Sequence, residues 1–316
     1  MKAVATEPVR TQPVFPTRRD ESENDMFLDA WGNSKWGQGS VPERLKGAVV
    51  TAVAAGGVHN VVVKQDGTLD AWGHATGQDF AGVVPERLKG VAITSVSAGQ
   101  AHTVVLKKEG TLDVWGDNGW GQGVLPERLK NVVATAVSAS GIHCVVIKKD
   151  GTLDAWGNNL GDEPSGVVPE RLKGVVVAGV RAGGEFNVVI KQDGTLDAWG
   201  KNSLGQGAVP ERLKNVTVTA VACGGAHSVV IKKDGRLDAW GSNEYGQGQV
   251  PERLKNVTVT AVSAGESHNV VVKKDGTLDS WGDNQYGQGQ VPEQLRKTQV
   301  VAIDAGSIHN IVITAI

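Results

Sequence analysis

The chain has 316 residues, with 32 Lys and Arg against 34 Asp and Glu, a formal net charge of −2 and a pI near 6.4. This balance gives no basic excess to attract nucleic acid, and no apolar run approaches the roughly 20 residues of a membrane-spanning helix. The N-terminal segment lacks the apolar stretch of a secretory signal, so the composition points to a soluble intracellular protein with no nucleic-acid partner and no membrane insertion.

Residues 1–25 read as an irregular tail, with three prolines and Arg10, Arg18 and Arg19 followed by Asp20, Glu21, Glu23 and Asp25. From 26 to 316 the chain repeats itself. Trp-Gly recurs seven times, at Trp31, Trp72, Trp115, Trp156, Trp199, Trp240 and Trp281, at intervals of 41 or 43 residues. Each Trp is followed after 11 or 13 residues by Pro, and 17 residues after that Pro comes the His of Ala-Gly-x-x-His or its Phe186 replacement.

Within a repeat, 257–262 alternates Val and Thr as a strand, and the β-branched run after His268 is a second strand too short for a helix. Asp275-Gly276 predicts a two-residue hairpin turn, and 278–281 a return strand. A fourth, weaker strand is expected near Gln249-Val250. The segment Val-Pro-Glu-Arg-Leu-Lys predicts a short helical turn opened by Pro, with Leu tucked inward and alternating charges solvated.

The last repeat stops without its Leu-Asp-x-Trp strand, which stands instead at 28–31. A strand missing at one terminus and orphaned at the other implies that the two pair. The expected fold is all-β, a seven-bladed β-propeller closed by pairing of the N-terminal strand with the C-terminal blade, spanning 26–316.

The pattern Ala-Gly-x-x-His, a Val-rich strand, Asp-Gly, then Trp-Gly-x-Asn-x-x-Gly-Gln, as in 264–288, resembles the regulator of chromosome condensation repeat family over roughly 26–316. The short period and the Val-Pro after Gly-Gln are similar to the second-type β-lactamase inhibitory proteins of that superfamily. The resemblance implies a non-catalytic protein-interaction scaffold, with enzyme inhibition and guanine-nucleotide exchange on a small GTPase as alternatives. Exchange activity in the family goes with a protruding β-wedge, yet no loop here exceeds its siblings by more than two residues. The turns before the repeat His are bare of the inhibitors' aromatics, as in Gly57-Val58 and Gly225-Ala226. They also lack the Trp that the family's ultraviolet-B photoreceptors carry there.

Six repeat slots hold His59, His102, His143, His227, His268 and His309. One His per blade spreads around a ring, whereas zinc needs converging ligands, so these read as structural histidines bonded to neighbouring backbone, with no metal. His74 stands outside the pattern as a lone loop histidine. Asp29, Asp70, Asp113, Asp154, Asp197, Asp238 and Asp279 each precede the blade Trp by two residues and are expected to anchor blade to blade through backbone or Trp. Cys144 and Cys223 read as buried free thiols, and Asn215-Val216-Thr217 and Asn256-Val257-Thr258 as structural repeats of the consensus rather than glycosylation sites. No catalytic constellation or cofactor site rises above the repeat background.

All length variation lies between Trp and Pro, where Trp36, Phe80, Trp120, Leu204, Tyr245 and Tyr286 stand near the loop centres. Exposed, they form a binding surface for a protein partner whose identity and stoichiometry the sequence leaves open. The competing reading makes them lids over neighbouring blades.

Overall fold

The computed structural model describes residues 26–74, 81–162 and 164–315. These residues form seven antiparallel sheets of three strands each. Blades 1 to 6 cover 50–73, 93–116, 134–157, 177–200, 218–241 and 259–282, and blade 7 combines 299–315 with 26–32. The first strands of successive blades touch one another in sequence, and that of blade 7 touches that of blade 1, so these strands surround an axis.

Local chemistry accounts for the order of strands. The middle strand, as in His59–Lys64, is buried at every position but the last, which suits an unbroken β-branched run covered on both faces. The outer strand buries Leu69, Ala71 and Trp72 and leaves Asp70 half-buried. The inner strand shifts register against its neighbour, between Val50 and Ala52 in blade 1, and such a bulge bends the strand.

Ring closure follows the expected split hairpin. Met26–Gly32 pairs antiparallel with the last strand, Phe27 opposite Thr314 and Trp31 opposite Asn310. Phe27 is 39% exposed, whereas Ala30 and Trp31 are buried.

Two local expectations change. The Asp-Gly hairpin is a three-residue loop: Gly276 N–H donates to Lys273 O at 2.9 Å and Lys273 N–H to Thr277 O at 2.8 Å. Gly276 has φ +81°, and no described non-glycine residue has positive φ, so Asp275 stays in ordinary backbone. Its carboxylate instead accepts Thr277 N–H at 3.0 Å and the Thr277 hydroxyl at 2.6 Å. This matches a type I turn closed by a glycine bulge. The expected fourth strand at Gln249-Val250 is absent, since these residues are a bend and coil leading to Pro251 and the 3-10 turn Glu252–Leu254. Proline has no N–H for a ladder and restricts the residue before it.

The hydrophobic core is divided among blade interfaces. One cluster joins Val145, Ile147 and Leu153 of blade 3 to Val177, Val189 and Trp199 of blade 4, with connector Leu172 between them. Connector leucines Leu45, Leu88, Leu129, Leu172, Leu213, Leu254 and Leu295 are each at most 3% exposed, so the 3-10 turns are wedges between blades. At the closure, Trp31 packs on Val270, Val272 and Leu278 of blade 6.

Deleting residues 1–31 is therefore expected to lower the thermal midpoint sharply and broaden the transition, since loss of a buried Trp alone costs about 3–5 kcal/mol. Removing 1–22 keeps the whole closing strand and the wild-type midpoint. Equal midpoints for the two deletions in calorimetry would contradict closure by this strand.

Candidate functional site

The Trp-to-Pro loops and the turns before the repeat His share one end of the ring. Asn33 N–H donates to Ile308 O at 2.9 Å, and Asp117, Ser242 and Asp283 N–H each donate at 2.8 Å to the corresponding turn carbonyl of their own blade. Each regular loop is built on a buried Gln. Trp36 N–H donates to Gln38 Oε1 at 2.9 Å, and Gln38 Nε2 donates to Asn33 Oδ1 at 3.1 Å. The same acceptor geometry holds Trp120 over Gln122, Leu204 over Gln206, Tyr245 over Gln247 and Tyr286 over Gln288.

The buried Gln leaves the tip side chain pointing outward. Trp36 is 43% exposed, Trp120 46%, Leu204 56%, Tyr245 43% and Tyr286 51%. These residues are thus neither sealed lids nor fully solvated. Phe80 lies outside the described residues. Leu160, missed in the sequence because its longer loop lacks Gly-Gln and shifts the residue toward the Trp, is 63% exposed at the corresponding place. His74 is no isolated histidine: its ring meets Trp36 edge-on, with centroids 4.6 Å apart. Lys35 Nζ lies 5.3 Å from the Trp36 ring centroid.

Below this face, the repeat histidines cross blade boundaries. The expected backbone partners are replaced by side chains one residue after the next blade's His slot. His309 Nε2 meets Asn60 Oδ1, and His143, His227 and His268 meet Asn187, Asn269 and Asn310, all at 2.8 Å. His59 meets Thr103 Oγ1 at 2.8 Å and His102 meets Cys144 Sγ at 3.1 Å. Asn60 Nδ2 donates onward to Gln38 O at 2.8 Å, and Asn269 and Asn310 repeat the pattern at 3.0 Å. Because the amide NH₂ is spent on a carbonyl, Asn Oδ1 is the acceptor and the imidazole donates from Nε2. The loops that carry the tips are therefore tied to the blade junctions.

The glycine three residues before five of the six histidines also has a reason, because a Cβ on Gly99 would fall within the His102 imidazole. Phe186 fills the slot in blade 4, and the position opposite it is Ser228, whose hydroxyl donates to Cys223 Sγ at 3.7 Å. Both cysteines are buried and free. Burial pushes the Cys144 thiol well up and the Cys223 thiol to about 12, which disfavours the reactive thiolate.

The strand aspartates also take a different partner from the expected one. Arg44, Arg128, Arg212 and Arg253 of the connectors bind Asp70, Asp154, Asp238 and Asp279 at 2.8–3.0 Å. Arg87 binds Asp113 at 2.9 Å and Arg171 binds Asp197 at 3.4 Å. Each guanidinium also donates to the next carbonyl, as Arg44 does to Ala71 O at 2.8 Å. The connector is thus a clasp on the following blade, and its Glu–Lys pairs, as in Glu43–Lys46, are its more exposed charges. The ion pairs are partly exposed, so each contributes about 1 kcal/mol or less. Asp29 at the closure lacks this clasp because Gln294 stands where the Arg would be; it accepts Ala30 N–H at 2.7 Å, and burial raises its pKa.

Among the described residues no group of three His, Cys, Asp or Glu side chains is placed to hold a metal ion. No helix among them is long and apolar enough to cross a membrane.

A three-stranded blade repeated seven times around an axis, with connector wedges and loop tips gathered on one face, defines a β-propeller of the regulator of chromosome condensation type. Residues 93–122, 177–206, 218–247 and 259–288 match the Regulator of chromosome condensation (RCC1) repeat, so the chain carries repeats of that family. Among solved structures, Prp20p from Saccharomyces cerevisiae, described with its binding to Gsp1p and histones, superposes with TM-score 0.74 at 16% identity, covering 93% of this chain and 92% of that one. Yeast RCC1 (Prp20) bound to Kap60 gives 0.74 at 17%, covering 100% and 94%. Human WBSCR16 gives 0.70 at 17%, covering 92% and 98%. No curated protein sequence matches the chain.

The junction histidines predict a specific acid response. Burial lowers His59 and His309 to about 3, and His102, His143, His227 and His268 to about 4, from an ordinary 6.5. The unfolded chain binds more protons below pH 6.5, so stability falls as pH drops from 6.5 toward 4, by about 1.4 kcal/mol per pH unit for each histidine. Replacing His227 and Asn269 with Phe and Ser copies the Phe186 and Ser228 pair. Denaturation at a series of pH values is expected to show one fewer proton taken up on unfolding. An unchanged pH slope would contradict the assignment.

Proposed function

We propose that the protein is a non-catalytic protein-interaction scaffold that takes its partner on the loop face, with residues 26–316 acting as one binding unit and without metal or cofactor. The observation that supports this most directly is the set of half-exposed large side chains at Trp36, Trp120, Leu160, Leu204, Tyr245 and Tyr286, one per loop. The scaffold does not need their bulk, since the Gln beneath each regular tip accepts a backbone N–H and is indifferent to the side chain above it. Large apolar groups held on a rigid backbone lose little entropy on binding and supply the water-excluding anchors of protein interfaces. Phe80 completes the proposed set in the remaining loop. The RCC1 relatives add support, since Prp20p is described as binding Gsp1p and histones.

The test compares captured partners quantitatively. Trp36→Ala with Trp120→Ala is expected to weaken partner binding by about 2 kcal/mol or more, roughly thirtyfold, without changing the thermal midpoint. Lys108→Glu with Lys233→Glu, exposed hairpin residues at the opposite end, is expected to leave binding intact. Loss with the lysine pair and retention with the Trp pair would move the interface to the other face. Faster nucleotide release from a small GTPase on adding the purified protein would replace the scaffold reading with exchange activity.

A further inference from the structure

The inner strands surround an axial cavity of about 300 Å³. Each blade contributes an equivalent residue two positions before the turn glycine or its Ser140 replacement: Ala54, Ser97, Ser138, Arg181, Ala222, Ser263 and Asp304. Four of them stitch neighbouring blades together. Ser97 Oγ accepts Ala139 N–H at 2.9 Å, and Ser138 and Ser263 accept Ala182 and Ala305 N–H at 3.0 Å. Asp304 Oδ2 accepts Ala55 N–H at 2.8 Å across the closure.

Arg181 breaks this pattern. It has no acceptor to offer the next blade, and alanine fills the same position in blades 1 and 5, so the scaffold does not call for a cation there. Among the described residues its side chain has one hydrogen bond, a long 3.5 Å contact from Nη1 to Val180 O of its own strand. Among the described residues no carboxylate lies within 4 Å of the guanidinium. A guanidinium has five N–H donors, and on this half-buried side chain most of them face the open cavity, where water or a ligand can take them.

The opposite charge also lines the cavity. Asp304 lines the same cavity and its charge favours the ionised guanidinium of Arg181, while its Oδ1 accepts the Ser263 hydroxyl at 2.9 Å. Glu266 adds a further acid at the exposed mouth, and Glu185 there is paired with Lys201 at 2.8 Å. A plain anion that met Arg181 would also face Asp304, and a plain cation near Asp304 would face Arg181. A ligand carrying both charges a few ångströms apart satisfies both, and a cavity of this size takes one with a small side chain. Guanidinium and carboxylate geometries match in paired N–H···O bonds.

We propose that the axial cavity binds a small zwitterion of the α-amino-acid class, its carboxylate on Arg181 and its ammonium on Asp304. The cavity opens among the turns of the loop face, and the proposal does not rest on the partner-binding reading of the loop tips.

Titration calorimetry of the full chain with glycine, L-alanine, L-serine and L-aspartate tests it, with acetate and methylamine as single-charge probes. Saturable one-to-one binding of at least one amino acid at millimolar concentration or tighter is expected, with acetate and methylamine weaker by tenfold or more. Arg181→Ala, which keeps the residue found in blades 1 and 5, is expected to weaken binding at least tenfold. Asp304→Ser, which retains an acceptor for Ala55 N–H as Ser97 does for Ala139, is expected to do the same; thermal midpoints report that both variants fold. The proposal is overturned if no probe binds, if acetate binds as tightly as the amino acids, or if either folded variant binds as well as wild type.

Discussion

A ring of sheets has to close, and in this molecule closure rests on seven residues, Met26–Gly32, completing a blade whose other strands lie at the far end of the chain. Unclosed, the last blade would present a bare middle strand, Trp31 would leave its packing against blade 6, and Met26 and Leu28 theirs against blade 1. The closure is tied at several depths. Near the axis, Asp304 accepts Ala55 N–H; in the turn, Ser307 N–H donates to Gly56 O at 3.2 Å; farther out, His309 meets Asn60. Apolar contact between Ile311 and Ile313 of blade 7 and Val53 and Val62 of blade 1 fills the space between these ties. Only the outer clasp is missing, where Gln294 replaces arginine opposite Asp29.

Much of this was legible in the sequence because repetition states each structural demand several times. The period, the β-branched strands and the misplaced Leu-Asp-x-Trp are local, and local patterns with a period can be read directly. Contacts between repeats were harder. Each His–Asn pair lies 42 or 44 residues apart within the chain, or 249 at the closure, and the receiving residue changes among Asn, Thr and Cys. The clasp was hidden for another reason: alternating Glu, Arg and Lys look self-cancelling, and only the three-dimensional turn sends Arg to an Asp 26 residues on. The loop tips were visible as sequence variation, but Leu160 escaped because its loop departs from the Gly-Gln frame. Arg181 escaped because a single cation among small residues has no motif.

The molecule thus separates what holds the ring from what varies upon it. Gln38, Gln122, Gln206, Gln247 and Gln288 are buried, while Trp, Leu and Tyr vary above them. The backbone carbonyls of Gln38, Gln247 and Gln288 accept bonds from the junction side chains of Asn60, Asn269 and Asn310, so the loop frame and the blade interface are one network. A surface supported in this way can change its tip chemistry without changing its shape, which is a useful property in a recognition face.

Because Met26–Gly32 contributes to both interfaces of blade 7, Trp31 toward blade 6 and Met26 and Leu28 toward blade 1, and each blade packs on two neighbours, this strand should open only with the whole molecule. Native-state hydrogen exchange measures this directly. The account predicts that the hydrogen-bonded amides of Met26–Gly32 exchange with the same opening free energy as those of Phe186–Lys191 in blade 4. Exchange of the N-terminal strand through a low-energy local opening, with blade 4 still protected, would contradict it.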